Sequence, residues 1–246
     1  VVRLGEGEPA AGPWRVEQLA DFVADLRAAA GSPLGRPPVV AVDGRSSSGK
    51  TTLAGRIGTA VPGAAIVHTD DLAWWYSAFG WAELLVDGVL RAARRGEAVS
   101  YRPPGWVERD RPGAVEVPAG PALLIVEGVG AGRTEVAHLL DLILYVQSDL
   151  DVAERRDAAR VAAGEISPSA HARWMAEERT FVARQRPWSR AWAVIAGAPD
   201  LTYDPASEVV VAPGPLAASP RTSSARRWAE WPCRRRRSGT RPGCGR

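Results

Sequence analysis

The chain has 246 residues, 46% of them hydrophobic, and a formal net charge of +3. That suits one α/β domain with a filled core and appendages, and no apolar run reaches the ~18 residues of a membrane span. The positive charge is local: from Gly214 onward there are nine Arg and one Glu, so the body is mildly acidic, and neither a nucleic-acid partner nor a membrane partner is expected for it.

Cysteine usage points the same way. Cys233 and Cys244 both fall in the basic tail, which excludes a disulfide framework or a thiolate zinc site from the body. Residues 1–13 carry two Glu and no apolar h-region, so no secretory signal is expected there. They read as a flexible lead-in to a domain spanning residues 14–212, expected in the cytoplasm. His68, His138 and His171 lack metal-ligand spacing and read as ordinary histidines.

In chain order, Val16 to Leu26 has apolar residues at helical intervals. Pro38 to Val42 is a short β-branched run with a strand's composition. It leads into Gly44-Arg45-Ser46-Ser47-Ser48-Gly49-Lys50-Thr51, which fits G-x-x-x-x-G-K-[ST] at every fixed position. Lys50 is the one lysine in the chain; the other 30 basic side chains are Arg. Thr51 to Ile57 continues as a helix. Strand, glycine loop and helix together make a phosphate site, because loop and helix N–H groups point at phosphate oxygens. Gly44 through Thr52 are therefore the candidate nucleotide-binding residues, with Lys50 bridging the β- and γ-phosphates and Thr51 ligating Mg²⁺.

A second strand, Ala64 to His68, ends in Thr69-Asp70-Asp71. A helical stretch from Trp81 to Arg95 stops at Gly96. Tyr101 to Pro118 reads as an irregular excursion or hairpin. Ala122 to Val126 is the clearest buried strand, ending in Glu127-Gly128, and Leu142 to Val146 is the next. Two Arg-rich helices follow, Asp151 to Ala163 and Ser169 to Gln185, then short strands at Trp192 to Ile195 and Glu208 to Val211. Alternating strands and helices predict a parallel sheet covered on both faces, with ligands at the carboxyl ends of the strands. From residue 213 periodicity vanishes; residues 213–246 read as a disordered Arg-rich tail or an out-of-frame extension.

Phosphoryl transfer needs a group to accept the proton of the acceptor hydroxyl, and oxygens for Mg²⁺. Asp70 is the candidate base and a possible metal neighbour, Glu127 the candidate for Mg²⁺ or its waters, and Asp71 a weaker acceptor contact. Trp74, Trp75, Tyr76, Tyr101 and Trp106 could stack on a base or sugar, or pack in a cap over the sheet.

Taken together, Gly44–Thr52, Asp70, the Tyr101–Arg111 excursion, Val115-Glu116-Val117-Pro118, Leu124-Ile125-Val126-Glu127-Gly128 and Asp141–Val146 resemble the uridine kinase family of P-loop kinases. Asp149 to Arg160 resembles that family's Arg-rich lid helix. The resemblance covers roughly residues 38–200. It implies a three-layer α/β/α fold with a mostly parallel five-stranded core sheet, ATP or GTP as donor, Mg²⁺, and transfer to a nucleoside 5′-hydroxyl. It also implies Asp70 as base and Arg155, Arg156 and Arg160 as clamps on the transferring group; self-association into a homo-oligomer is left open. Two departures stand out: Ser47 where the family often has Gly, and Asp71-Leu72-Ala73-Trp74-Trp75-Tyr76 where it commonly continues Ser-Phe-Tyr. A non-nucleoside alcohol such as a sugar or vitamin precursor is therefore an alternative acceptor. A non-catalytic NTP switch is the other alternative, although no second lysine exists for an Asn-Lys-x-Asp guanine motif.

Overall fold

A computed structural model describes residues 2–217. The Arg-rich run and both cysteines lie outside the described residues, so the expected tail is described only as far as Ala217. The elements in order are β1 (Arg15–Gln18), α1 (Leu19–Ala30), β2 (Val39–Gly44), α2 (Lys50–Ala60), β3 (Ala64–His68) and α3 (Thr69–Ala73). Then come α4 (Ala82–Leu85), a π turn (Val86–Leu90), α5 (Arg91–Ala93), β4 (Val99–Tyr101), α6 (Pro104–Glu108) and β5 (Val115–Val117). The chain continues through β6 (Leu123–Glu127), α7 (Thr134–Ala137), β7 (Leu142–Gln147), α8 (Leu150–Ala162) and α9 (Pro168–Gln185). It closes with β8 (Ala193–Ala196) and β9 (Glu208–Pro213).

A seven-stranded sheet runs β1-β9-β8-β7-β2-β6-β3. Five of its strands, β8-β7-β2-β6-β3, are parallel, as expected. β9 and β1 extend it antiparallel at one edge. The helix expected from Val16 begins at Leu19 instead, because Arg15–Gln18 pairs with β9, Val16 opposite Val210. Tertiary pairing overrides a helical pattern at its first turn.

Alternation along the central strands fills both layers. Val40 and Val42 face α1 and α2, where Phe22, Leu26, Leu53, Ile57 and Trp192 pack. Val39 and Ala41 face the other side, with Leu72, Trp81, Leu85, Leu90 and Trp106. The two-stranded β4-β5 hairpin, with α6 in its connection, forms a cap near β3. Tyr101 belongs to that cap: a Cβ on Gly88 would lie 2.5 Å from its ring, so the π turn carries a glycine where the ring packs. Among the described residues no helix is long and apolar enough to cross a membrane.

The lead-in expected to be flexible is instead fastened down. Arg45 is buried and needs a counter-charge, which Glu8 supplies at 3.2 Å; Glu8 also accepts from Gln147 Nε2 at 3.0 Å. Arg3 reaches Asp151 at 2.7 Å and Glu154 at 2.5 Å on α8. Removing one partner of a buried pair strands the other charge, at a cost of about 3–5 kcal/mol. Glu8→Ala should lower the unfolding free energy by about that much in urea, whereas the neighbouring Glu6→Ala should leave the midpoint unchanged.

Candidate active site

β2 is the central strand, and its carboxyl end opens into the Gly44–Lys50 loop. Asp43, the last side chain before the loop, is fully buried and accepts from Gly44 N (2.7 Å), Gly130 N (2.9 Å) and Gly132 N (2.8 Å). Burial pushes its carboxyl upward, opposed by those three N–H groups and by Lys50. It ties the start of the phosphate loop to the segment after β6. The sequence reading passed over it because an acid one residue before a P-loop glycine has no motif of its own.

Gly44 has φ 153° and Gly49 φ 101°, values that L side chains avoid. A Cβ on Gly44 would meet the Val146 carbonyl at 2.6 Å. Ser47, standing where the family often has Gly, also has positive φ, 54°. It is held there by α8: its hydroxyl donates to Asp157 Oδ1 at 2.5 Å, and its carbonyl accepts from Arg156 Nη1 at 3.0 Å. Two anchors from a neighbouring helix thus hold a backbone shape that glycine adopts freely. Ser46 is gripped by α9, with its N–H donating to Glu178 at 3.1 Å and its hydroxyl bonded to the same carboxylate.

The loop borders a cavity of about 900 Å³ lined by Ser46, Ser47, Gly49, Lys50, Thr51 and Thr52. Gly44 and Ser48 shape the loop from behind. Arg45, expected among the nucleotide contacts, sends its side chain to Glu8 instead of the cavity. Lys50 Nζ donates to the Arg45 carbonyl at 2.7 Å, leaving its flexible stem free to redirect the charge toward phosphates.

Thr51 Oγ1 lies 3.2 Å from Glu127 Oε1, and Glu127 Oε2 lies 2.7 Å from His68 Nδ1. Hard oxygens beside a helix N-terminus fit Mg²⁺ shared with phosphates. Among the described residues there is no cluster of three or more His, Cys, Asp or Glu that could hold a metal ion. His68 is partly buried, and its hydrogen bond to Glu127 raises its pKa.

Asp70 lines the same cavity from the end of β3. Its side chain is open to the cavity, yet protein encloses it on the other sides, and that burial, with Glu127 adding repulsion, raises its carboxyl above the ordinary value despite Lys50. Asp71 does not line the cavity; it pairs with Arg111 at 2.9 Å, and its carbonyl accepts from Trp106 Nε1 at 2.7 Å. Arg111 stacks 3.6 Å over Trp106. Asp71 and Trp106 therefore pin α3 to α6. Tyr76 and Trp75 are exposed outside the cavity, Trp75 under Arg109 at 4.1 Å. Of the expected aromatics only Trp74 lines it.

On α8, Arg156 and Arg160 line the cavity and Arg155 does not. Residues four apart share a helix face, while the adjacent position is turned by about 100°. Arg156 also reaches the Gly197 carbonyl at 3.2 Å, and Arg160 pairs with Glu165 at 3.1 Å. α9 contributes His171 and Trp174, which the sequence reading missed. The stripe His171, Trp174, Glu178, Phe181 at helical spacing was the available signal, easily taken for core.

No family model matches the chain, and no curated protein matches its sequence. Solved structures match its shape. One from Silicibacter sp. TM1040, provisionally assigned as a fructose transport system kinase, is 20% identical with a TM-score of 0.51; the match covers 71% of this chain and 96% of that one. Another, from Bacillus stearothermophilus and described as a possible uridine kinase, is 20% identical over the same shares with a TM-score of 0.48. At this identity the likeness is one of fold alone: a mostly parallel sheet covered by helices on both faces.

Two outcomes follow from the geometry. Arg156→Ala should reduce turnover about 10-fold or more, while Arg155→Ala stays within about twofold of the parent. If Asp70 is the base, it must be deprotonated to act, and its raised carboxyl moves the loss of kcat/KM on acidification to a pH above the usual 3.8. An acid limb at or below that value would count against Asp70.

Proposed function

We propose that the chain is a small-molecule kinase, moving the γ-phosphoryl group of ATP or GTP to an alcohol with Mg²⁺ as cofactor. The observation that carries this reading is one cavity lined by Lys50 and Thr51 of the phosphate loop, Asp70 of α3, Glu127 of β6 and Arg156 of α8. These come from four separate parts of the chain, and each is the type that phosphoryl transfer uses.

The sheet order divides the labour. β7, β8 and β9 lie on one side of β2, and β6 and β3 on the other. The cavity crosses between them. The nucleoside of the donor fits the β8–β9 side, beside Arg56, Tyr203 and Val210, and the acceptor fits the β3 side, at Asp70. Loop N–H groups and Lys50 hold the β- and γ-phosphates between the two.

The acceptor oxygen attacks the γ-phosphorus, and the bond from that phosphorus to the bridging oxygen breaks. The electron pair leaves with the nucleoside diphosphate, and the acceptor proton passes to the Asp70 carboxylate. Arg156, with Arg160 behind it, meets the charge spread over the equatorial oxygens. Bound Mg²⁺, held by Thr51 with Glu127 beside it, would neutralise charge on the phosphates. A nucleoside is the acceptor that the resemblance in sequence implies. Residence in the cytoplasm and self-association belong to the same proposal.

The test is a comparison of binding with turnover. Asp70→Asn should keep Mg·ATP affinity within a few-fold while phosphoryl transfer falls about 10²–10⁴-fold. Lys50→Ala should depress both. If neither Mg·ATP nor Mg·GTP binds the parent protein, the reading fails.

A further inference from the structure

The acceptor half of the cavity has a composition of its own. With Asp70, the cavity is lined by Ala73 and Trp74 after β3, Val129 after β6, and Ala170 and Trp174 on α9. Few polar atoms remain available there. The indole Nε1 of Trp174 already donates to Ser46 Oγ at 2.8 Å and to Glu178 at 2.9 Å. Glu178 is spent on Ser46 and Trp174, and it is buried. His171 lines the cavity, but its Nε2 is buried 3.7 Å from Asp157 Oδ2. Glu127 is engaged by Thr51 and His68. Arg156 is tied over Ser47 and Gly197, on the phosphate side.

Trp174 is also set in place. Phe79 packs against its ring with centroids 5.1 Å apart, and Phe79 in turn stacks on Phe181 at 4.3 Å. With its N–H committed and its ring wedged, Trp174 offers a ligand carbon surface and little else. A free sugar would bury several hydroxyl groups against such a wall without partners, and a nucleoside would leave the hydrogen-bonding edge of its base unanswered; unpaired polar groups are costly to bury. A flat apolar body suits two indoles.

Resting on the kinase reading above, we infer that the acceptor is an alcohol carried on an aromatic or heteroaromatic ring, lodged against Trp74 and Trp174 with its hydroxyl at Asp70. The hydroxyl oxygen forms the new bond to the γ-phosphorus of the donor, the nucleoside diphosphate leaves, and Asp70 takes the proton.

Binding tests this apart from turnover. The full chain, saturated with Mg²⁺ and a non-hydrolysable ATP analogue, is titrated calorimetrically with 2-phenylethanol, indole-3-ethanol, uridine and fructose. At least one ring-bearing alcohol of the first two should bind 10-fold or more tightly than uridine or fructose. Trp174→Leu should weaken that binding about 10-fold, and Trp174→Phe, which loses the same N–H contact to Ser46 but keeps a ring, should restore most of it. Preference for uridine or fructose, or no alcohol bound by protein that still binds the ATP analogue, would overturn the inference while leaving the nucleotide site standing. Loss of nucleotide binding itself would strike the kinase reading instead. ADP release with the same four alcohols should follow the same order; release fastest with fructose or uridine would also sink it.

Discussion

Buried carboxylates hold the phosphate loop from every side. Asp43 fixes its root to the turn after β6, Asp157 of α8 takes the Ser47 hydroxyl, and Glu178 of α9 takes the Ser46 N–H and hydroxyl. Glu8 neutralises Arg45 behind the loop. A loop that must present N–H groups to phosphates has few internal bonds of its own, so its shape has to come from outside. Each of these acids is buried and hydrogen-bonded, the condition under which a carboxylate in the interior is tolerated.

That arrangement links the loop to the two Arg-rich helices. The αL conformation of Ser47 is held by Asp157 and Arg156, neighbours on α8 that reach the same residue from side chain and carbonyl. A helix supplying a cation to the cavity thereby also sets the backbone beside it. The glycine that the resemblance leads one to expect would need no such support. The serine makes loop geometry depend on where α8 lies.

Much of the site was legible in the chain itself. G-x-x-x-x-G-K-T is a local device whose parts act within a few residues of each other, and Asp70 and Glu127 follow directly from being the acids at the ends of two apolar runs. The aromatics were a different matter. Tyr76, Tyr101 and Trp106 have the chemistry of a stacking site, but Gly88 beneath Tyr101 and Arg111 over Trp106 turn two of them into cap packing, and Tyr76 stays on the surface outside the cavity. Trp174, on a helix far along the chain, lines the cavity with Trp74 instead.

The amino-acid order determined the alternating strands and helices, a parallel sheet and the phosphate loop, because periodicity, β-branching and glycine act over short spans. The three-dimensional arrangement alone decided that Arg156 lines the cavity while Arg155 does not, that Arg45 turns away to Glu8, and that Arg15–Gln18 becomes an edge strand. It also decided which indoles line the cavity. Those outcomes depend on partners distant along the chain, and no local pattern encodes which distant group will arrive.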